Sequence, residues 1–176
     1  MNLKPRQQEA HDAIFSAMSR GVDKSLVCLP TGVGKTVLAC HVANSFDRVL
    51  FLAHRQELVE QTAETIAKVA PSRELGFFMQ GQHQESSFTI GMIQSVHRRL
   101  GKIDPAAFDA VIIDECHRGG ANDEGNWRGI LEYFAPAYQV GMTATPLREE
   151  NRDTYRYFGN PLVTYSLRQG IEDGFL

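Results

Sequence analysis

The sequence predicts an α/β domain with a mainly parallel sheet and helices on both of its faces, a three-layer α/β/α arrangement. Three observations carry this expectation. Short apolar runs alternate with amphipathic stretches along almost all of the 176 residues. The runs have strand length and the stretches between them have the length of crossover helices, the pattern of βαβ units in a parallel sheet. One apolar run also leads straight into a glycine-rich turn and then a helix, an order that lets a sheet of this kind hold an anion at its edge.

Taken in order, strand-like runs fall at residues 25–29, 48–53, 88–93, 110–113 and 139–142. Residues 35–46 and 55–69 read as helices. In the second, Leu58, Val59, Thr62, Ile66 and Val69 recur at three- and four-residue intervals and so share one helical face. Residues 166–176 read as a further amphipathic helix. Residues 119–125, rich in Gly, Asn and Asp, are expected to be the least ordered stretch. Nothing repeats internally. The length fits one domain, residues 1–176, and leaves little room for a second.

Composition narrows the function classes. The hydrophobic share is 43%, enough for a real core, and the formal net charge is −3. That charge argues against binding nucleic acid through bulk positive charge, so any such site must be a local patch. Three cysteines, Cys28, Cys40 and Cys116, form no paired spacing. Two lie in apolar runs and read as reduced core thiols of an intracellular protein. No apolar stretch approaches the ~20 residues needed to span a bilayer, and no signal peptide is evident, so a cytoplasmic location without membrane contact is expected.

Two motifs carry chemistry. The first runs from Leu26-Val27-Cys28-Leu29 into Pro30-Thr31-Gly32-Val33-Gly34-Lys35-Thr36. Backbone N–H groups of Thr31, Gly32, Val33 and Gly34 can close around phosphate oxygens, and the following helix adds its positive end. Lys35 would reach the β- and γ-phosphates, and the Thr36 hydroxyl would ligate Mg²⁺. Leu29 stands where the strict phosphate-loop pattern has its first glycine. The second motif is the buried-strand run Val111-Ile112-Ile113 ending in Asp114-Glu115-Cys116-His117. At the C-terminal edge of a parallel strand, Asp114 would hold Mg²⁺ through water and Glu115 would orient and deprotonate an attacking water. Alone, such a pair is more often the solvated start of a loop, a reading that recedes beside the phosphate loop upstream, and a Cys116/His117 metal pair is a further reading that lacks a second ligand cluster.

These residues resemble superfamily 2 (DEAD/DEAH-like) helicases. Asp-Glu-Cys-His matches that superfamily's Asp-Glu-x-His signature, and Pro-Thr-Gly-Val-Gly-Lys-Thr is similar to its motif I. Four further elements follow the family's order. Leu3-Lys4-Pro5-Arg6-Gln7 resembles the upstream element whose glutamine reads adenine, with Lys4 and Arg6 standing where the family carries Arg and an aromatic. Leu52-Ala53-His54-Arg55-Gln56-Glu57-Leu58 resembles motif Ia, Met92-Ile93-Gln94-Ser95 the Thr-x-Gln-Ser element, and Gly141-Met142-Thr143-Ala144-Thr145-Pro146 motif III. Within the superfamily, residues 126–134 and 157–176 look most like the motor of type I restriction enzyme R subunits and related restriction-type helicases.

The resemblance implies a first RecA-like P-loop NTPase domain that binds ATP with Mg²⁺, with Gln7 selecting adenine and Lys35, Asp114 and Glu115 as catalytic residues. It implies that DNA, rather than RNA, crosses the face formed by His54, Arg55, Gln94 and Ser95, beside a basic cluster of Arg98, Arg99 and Lys102. His117, Thr143 and Thr145 would couple the two sites. Motifs of a second RecA-like domain, including an arginine that completes the ATP site, are not read in these residues, so such a domain is an expected partner. Plain alternatives stand beside these roles: Arg55 paired with Glu57 or Glu60, Arg98 and Arg99 as a solvated helix face, Thr143 and Thr145 as turn formers. Tyr155, Tyr157, Phe158 and Trp127 read as core. An NTPase or an assembly module that never acts on nucleic acid is the rival function.

Overall fold

The computed structural model describes residues 2–114, 121–144, 152–172 and Gly174. These fold into one eight-stranded sheet flanked by helices. In chain order the elements are α1 (Pro5–Ser19), β1 (Lys24–Cys28), α2 (Lys35–Ala43), β2 (Val49–Ala53), α3 (Gln56–Val69), β3 (Leu75–Met79), β4 (Gln82–Gln84), β5 (Phe88–Met92) and α4 (Ile93–His97). A 3₁₀ turn (Leu100–Lys102) follows, then β6 (Ala110–Ile113), α5 (Ala121–Tyr133), β7 (Tyr138–Thr143), α6 (Arg152–Phe158), β8 (Val163–Thr164) and α7 (Leu167–Glu172). The sheet order is β4-β3-β5-β2-β6-β7-β1-β8. Every pairing is parallel except that of β4 with β3.

Strands buried on both faces read as unbroken apolar runs, and alternate side chains enter opposite layers. Val27, Phe51, Ile90 and Ile112 join the core cluster that also takes up Ile14 of α1, Leu38 of α2 and Ile66 of α3. Their neighbours Leu26, Leu50, Leu52, Val111 and Ile113 join the cluster containing Val96 of α4, Trp127 and Ile130 of α5, and Phe158 of α6. The three-layer expectation therefore holds strand by strand. α1 buries Gln7, Ala10, Ile14 and Ala17, one stripe at helical spacing.

Three strands go beyond the sequence expectation. β3 and β4 form an antiparallel hairpin at one edge of the sheet, and β8 adds two residues beside β1 at the other. The helix read over 35–46 ends at Ala43, where Asn44, Ser45 and Phe46 turn their N–H groups back onto Cys40, Val42 and Ala43. Residues 121–125, expected among the least ordered, instead form the first turns of α5. Below the sheet, at the N-terminal ends of the strands, the Arg73 guanidinium donates to the carbonyls of Ala43, Phe46, Asp47 and Ser87 at 2.6–3.0 Å, and so clamps three connections together.

Candidate functional site

Because the β1, β7, β6, β2 and β5 strands are parallel and in register, their C-terminal ends share one edge, where Cys28 pairs with Thr143, Ile113 with Gly141 and Ala53 with Met92. The segments that follow each strand therefore meet along that edge. These are the phosphate-loop segment after β1, Asp114 after β6, His54 and Arg55 after β2, and Gln94 and Ser95 after β5.

The loop between β1 and α2 turns on two glycines. Gly32 has φ 92° and Gly34 φ 85°, left-handed conformations that a side chain opposes. Gly34 is the residue capping α2, so Lys35 and Thr36 start the helix and their N–H groups face the loop. A pocket of about 240 Å³ opens there, lined by Thr31, Gly32, Gly34, Lys35, Thr36 and Asp114 from the predicted set. The residues of the two motifs, 78 positions apart between Thr36 and Asp114, thus share one cavity. Lys35, Thr36 and Asp114 are each under 10% exposed. Leu58 and Gln61 of α3 complete the lining. Sequence reasoning missed them, although Leu58 and Gln61 sit three apart on the helix that opens with Arg55, and that spacing is the signal.

Thr36 offers a hydroxyl and Asp114 a carboxylate, both hard oxygen donors facing the same cavity, a donor set that suits Mg²⁺ with its remaining places left to water and phosphate. The Asp114 charge is also felt at Cys40 on α2: burial first, and then that carboxylate, push the Cys40 thiol up to about 12. Cys28 and Cys40 are both free and buried, as expected of core thiols. Glu115, Cys116, His117, Arg118 and Thr145 lie outside the described residues.

Gln7 reaches the loop from α1. Its amide nitrogen donates to the carbonyls of Val33 at 2.7 Å and Gly34 at 3.1 Å, and its Oε1 accepts from the Lys4 N–H at 2.8 Å. Beside it the Arg6 guanidinium lies 5.3 Å from the centre of the Tyr165 ring, so a stacked cation occupies the position of the family's aromatic. Thr143 is fully buried at the end of β7, and its carbonyl accepts from the Leu29 N–H at 2.9 Å, a direct link between motif III and the start of the phosphate loop.

On the other side of the edge, His54 is half-buried, Arg55 exposed and the cap of α3, Gln94 exposed and Ser95 buried. Among the described residues no carboxylate pairs with Arg55, and Glu60 accepts instead from Gln56 at 3.1 Å. Of the aromatic residues read as core, Trp127 and Phe158 are buried, and Tyr155 and Tyr157 are half-buried against the same cluster. Phe158 stacks on Trp127 at 6.2 Å, and Tyr157 donates to Gln139 at 2.6 Å.

Comparison with known proteins agrees with this arrangement. The family described as type III restriction enzyme, res subunit, matches residues 1–148. The chain is 35% identical over 190 aligned residues to the type I restriction enzyme EcoAI endonuclease subunit of Escherichia coli, covering 97% of the chain and 22% of that subunit. Among solved structures, a fragment described as an HsdR subunit of a type I restriction enzyme from Vibrio vulnificus YJ016 superposes with a TM-score of 0.74 at 39% identity, over 96% of the chain and 31% of the fragment. A nuclease-deletion mutant of the type ISP restriction-modification enzyme LlaGI, solved with a DNA substrate mimic, shares the fold at TM-score 0.70 and 15% identity, over 99% of the chain and 21% of that protein. The chain thus spans about a fifth to a third of the length of these relatives.

Proposed function

Given that the chain belongs to the type III restriction enzyme res-subunit family, and so to the restriction-type superfamily 2 motor domains that use ATP, we propose that it binds ATP with Mg²⁺ and couples ATP hydrolysis to movement along DNA. The observation that carries this reading is the shared pocket of Lys35, Thr36 and Asp114 at the same sheet edge as the His54–Arg55 and Gln94–Ser95 segments.

In this reading the backbone N–H groups of residues 31–34 and the buried Lys35 hold the phosphates, and Gln7 faces adenine from α1. Thr36, and Asp114 through water, would hold Mg²⁺, which would supply positive charge to offset that of the phosphates. Glu115 takes the proton of the attacking water. Thr143, bonded to the loop through Leu29, passes changes at the phosphates toward the nucleic-acid edge together with His117 and Thr145. Small polar groups and N–H donors at His54, Arg55, Gln94 and Ser95 grip backbone phosphates, so sequence is not read. The protein acts in the cytoplasm, with a second RecA-like domain as its partner in the motor.

No arginine lines the pocket among the described residues. An arginine supplied by a partner domain can be worth ~10³–10⁵ in rate. Residues 1–176 alone should therefore hydrolyse ATP slowly and respond little to DNA, while the same residues joined to a second RecA-like domain should turn over fast and in a DNA-dependent way. Steady-state ATPase assays with and without DNA decide this. A joined protein that ignores nucleic acid would leave an ordinary NTPase, and fast DNA-stimulated turnover by residues 1–176 alone would show that no outside arginine is needed.

A further inference from the structure

At the far end of the same edge, β3 runs out to Met79, turns through Gln80 and Gly81 and returns as β4. The turn needs Gly81, whose φ is 80°. β4 is wholly polar and exposed, Gln82-His83-Gln84. Opposite this hairpin, α4 starts directly where β5 ends and buries Ile93 and Val96 against the sheet. That anchoring leaves Arg98, Arg99 and Lys102 on the outer side, facing the hairpin. Between the two lies a cavity of about 450 Å³ lined by Gln80, His83, Ser95, Arg98, Arg99 and Lys102, with no carboxylate in its wall.

The side-chain bonds keep it open and cationic. Arg99 donates to the carbonyl of Ser95 at 3.1 Å and to the His83 ring, so it spans from α4 to the hairpin. Among the described residues Arg98 donates to the carbonyl of Gln94, at 3.1 Å. Among the described residues no acidic side chain pairs with Arg98, Arg99 or Lys102. Glu85, just past β4, pairs with Arg48 and lines an adjoining cavity with Arg99 and Lys102. A pocket with three basic side chains, a buried hydroxyl and no carboxylate in its wall has the chemistry of an anion site.

Its place in the sheet points to the anion. Four strand spacings separate β5 from β1, about 19 Å along the edge from the phosphate loop. Ser95 belongs both to this cavity and to the segment read as a nucleic-acid contact. We propose that the pocket between the β3–β4 hairpin and α4 seats a backbone phosphate of the bound nucleic acid, extending its track past Ser95 onto the hairpin. This rests on the proposed nucleic-acid function and adds to it a contact, made with His83 and Gln80 of the hairpin, outside all the motif segments.

The test replaces the exposed cations singly, Lys102→Ala and Arg98→Ala, with Lys68→Ala as a charge-matched control from the last turn of α3, which ends at the opposite edge of the sheet. Binding of a fluorescent oligonucleotide is followed by anisotropy across a range of potassium chloride concentrations. Each pocket variant should lower the slope of log affinity against log salt by about 0.7 for single-stranded or about 0.9 for duplex DNA, whatever the sequence, while Lys68→Ala leaves it unchanged. Slopes equal to the parent protein's, or an equal drop in the control, overturn the pocket. If the parent protein binds no oligonucleotide even at low salt, the nucleic-acid function falls and the pocket with it. If inorganic phosphate at matched ionic strength erases the advantage of the parent over its variants, the pocket is a free-anion site and the proposal is wrong. ATP affinity, set about 19 Å away, should be the same in all four proteins.

Discussion

The side-chain amide of Gln7 donates to the backbone carbonyls of both Val33 and Gly34, at 2.7 and 3.1 Å, and so bolts the first helix to the phosphate loop before any nucleotide arrives. Both amide hydrogens are spent on the loop, and one Oε1 lone pair is spent on the Lys4 N–H, which leaves a single acceptor site to face a ligand. An acceptor is what an adenine amino group can use. Gln7 is therefore a brace, and in the proposed function it would also read adenine.

That relationship predicts the behaviour of Gln7→Ala. The buried Val33 carbonyl loses its donor, while the part-buried Gly34 carbonyl keeps the Leu38 N–H at 3.2 Å; the cost is about 1–3 kcal/mol, and for a chain of this size that lowers Tm by several degrees. ATP affinity should fall as well, because the loop is no longer held. Scanning calorimetry and titration calorimetry read the two effects; a variant with the parent's Tm and ATP affinity would show that the brace carries no weight. Gln7→Glu should be no milder, since it sets a carboxylate against two carbonyl oxygens.

Lys35→Ala should weaken ADP or ATP binding by about ten- to a hundredfold, the worth of one charge-assisted phosphate contact at roughly 1.5–3 kcal/mol. The readout is titration calorimetry with Mg²⁺ present. Equal affinities in the two proteins would remove the phosphate-loop assignment.

Gly141, in the middle of β7, is a packing residue as much as a motif residue. A Cβ there would lie 2.8 and 2.9 Å from ring carbons of Phe158 and 3.1 Å from Leu26 Cδ1. Gly141→Ala should push α6 off the sheet and cost about 1–3 kcal/mol. Gly141→Ala combined with Phe158→Leu should recover part of that loss in a denaturant titration. No recovery would mean that the strain lies elsewhere.

Alkaline pH should destabilise the fold in a defined window. Burial raises the Cys40 thiol from 9.0 to about 12, with the Asp114 charge adding to it. Burial likewise raises the Tyr157 hydroxyl from 10.0 to about 12, opposed in part by its bond to Gln139. Both groups are held in their proton-bound form by the fold. Their contribution is complete below pH 9, where the unfolded chain also keeps its protons, and is lost as pH climbs from about 9 to 12. Tm measured at steps through that range should fall, and Cys40→Ala should flatten the early part of the fall. A curve of the same shape in the variant would place the effect on other groups.

How much could be read before folding depends on which physical term decides each element. β1, β2, β5, β6 and β7 were legible because both their faces are buried, so hydrophobicity alone marks them, and the phosphate loop was legible because strand, glycines and helix are adjacent in the chain. β4 was not: Gln82-His83-Gln84 has no apolar pattern and is a strand only because β3 supplies the hydrogen bonds. β3 half-exposes Leu75, Phe77 and Met79 at the sheet edge, and β8 is too short to show any period. The start of α5 is rich in Gly, Asn and Asp, and its helical form there is fixed by later turns, through Trp127, Ile130 and Phe134, which pack under the sheet. The motif residues, likewise, were visible from local spacing, and parallel strand order implied that they would share an edge. What local spacing could not hold was the set of contacts between residues far apart in the chain: Gln7 on the loop 26 positions on, Gln61 in the wall of the nucleotide pocket, and His83 brought opposite Arg99. Those contacts are set by how helices and hairpin stack on the finished sheet, and only tertiary packing decides that.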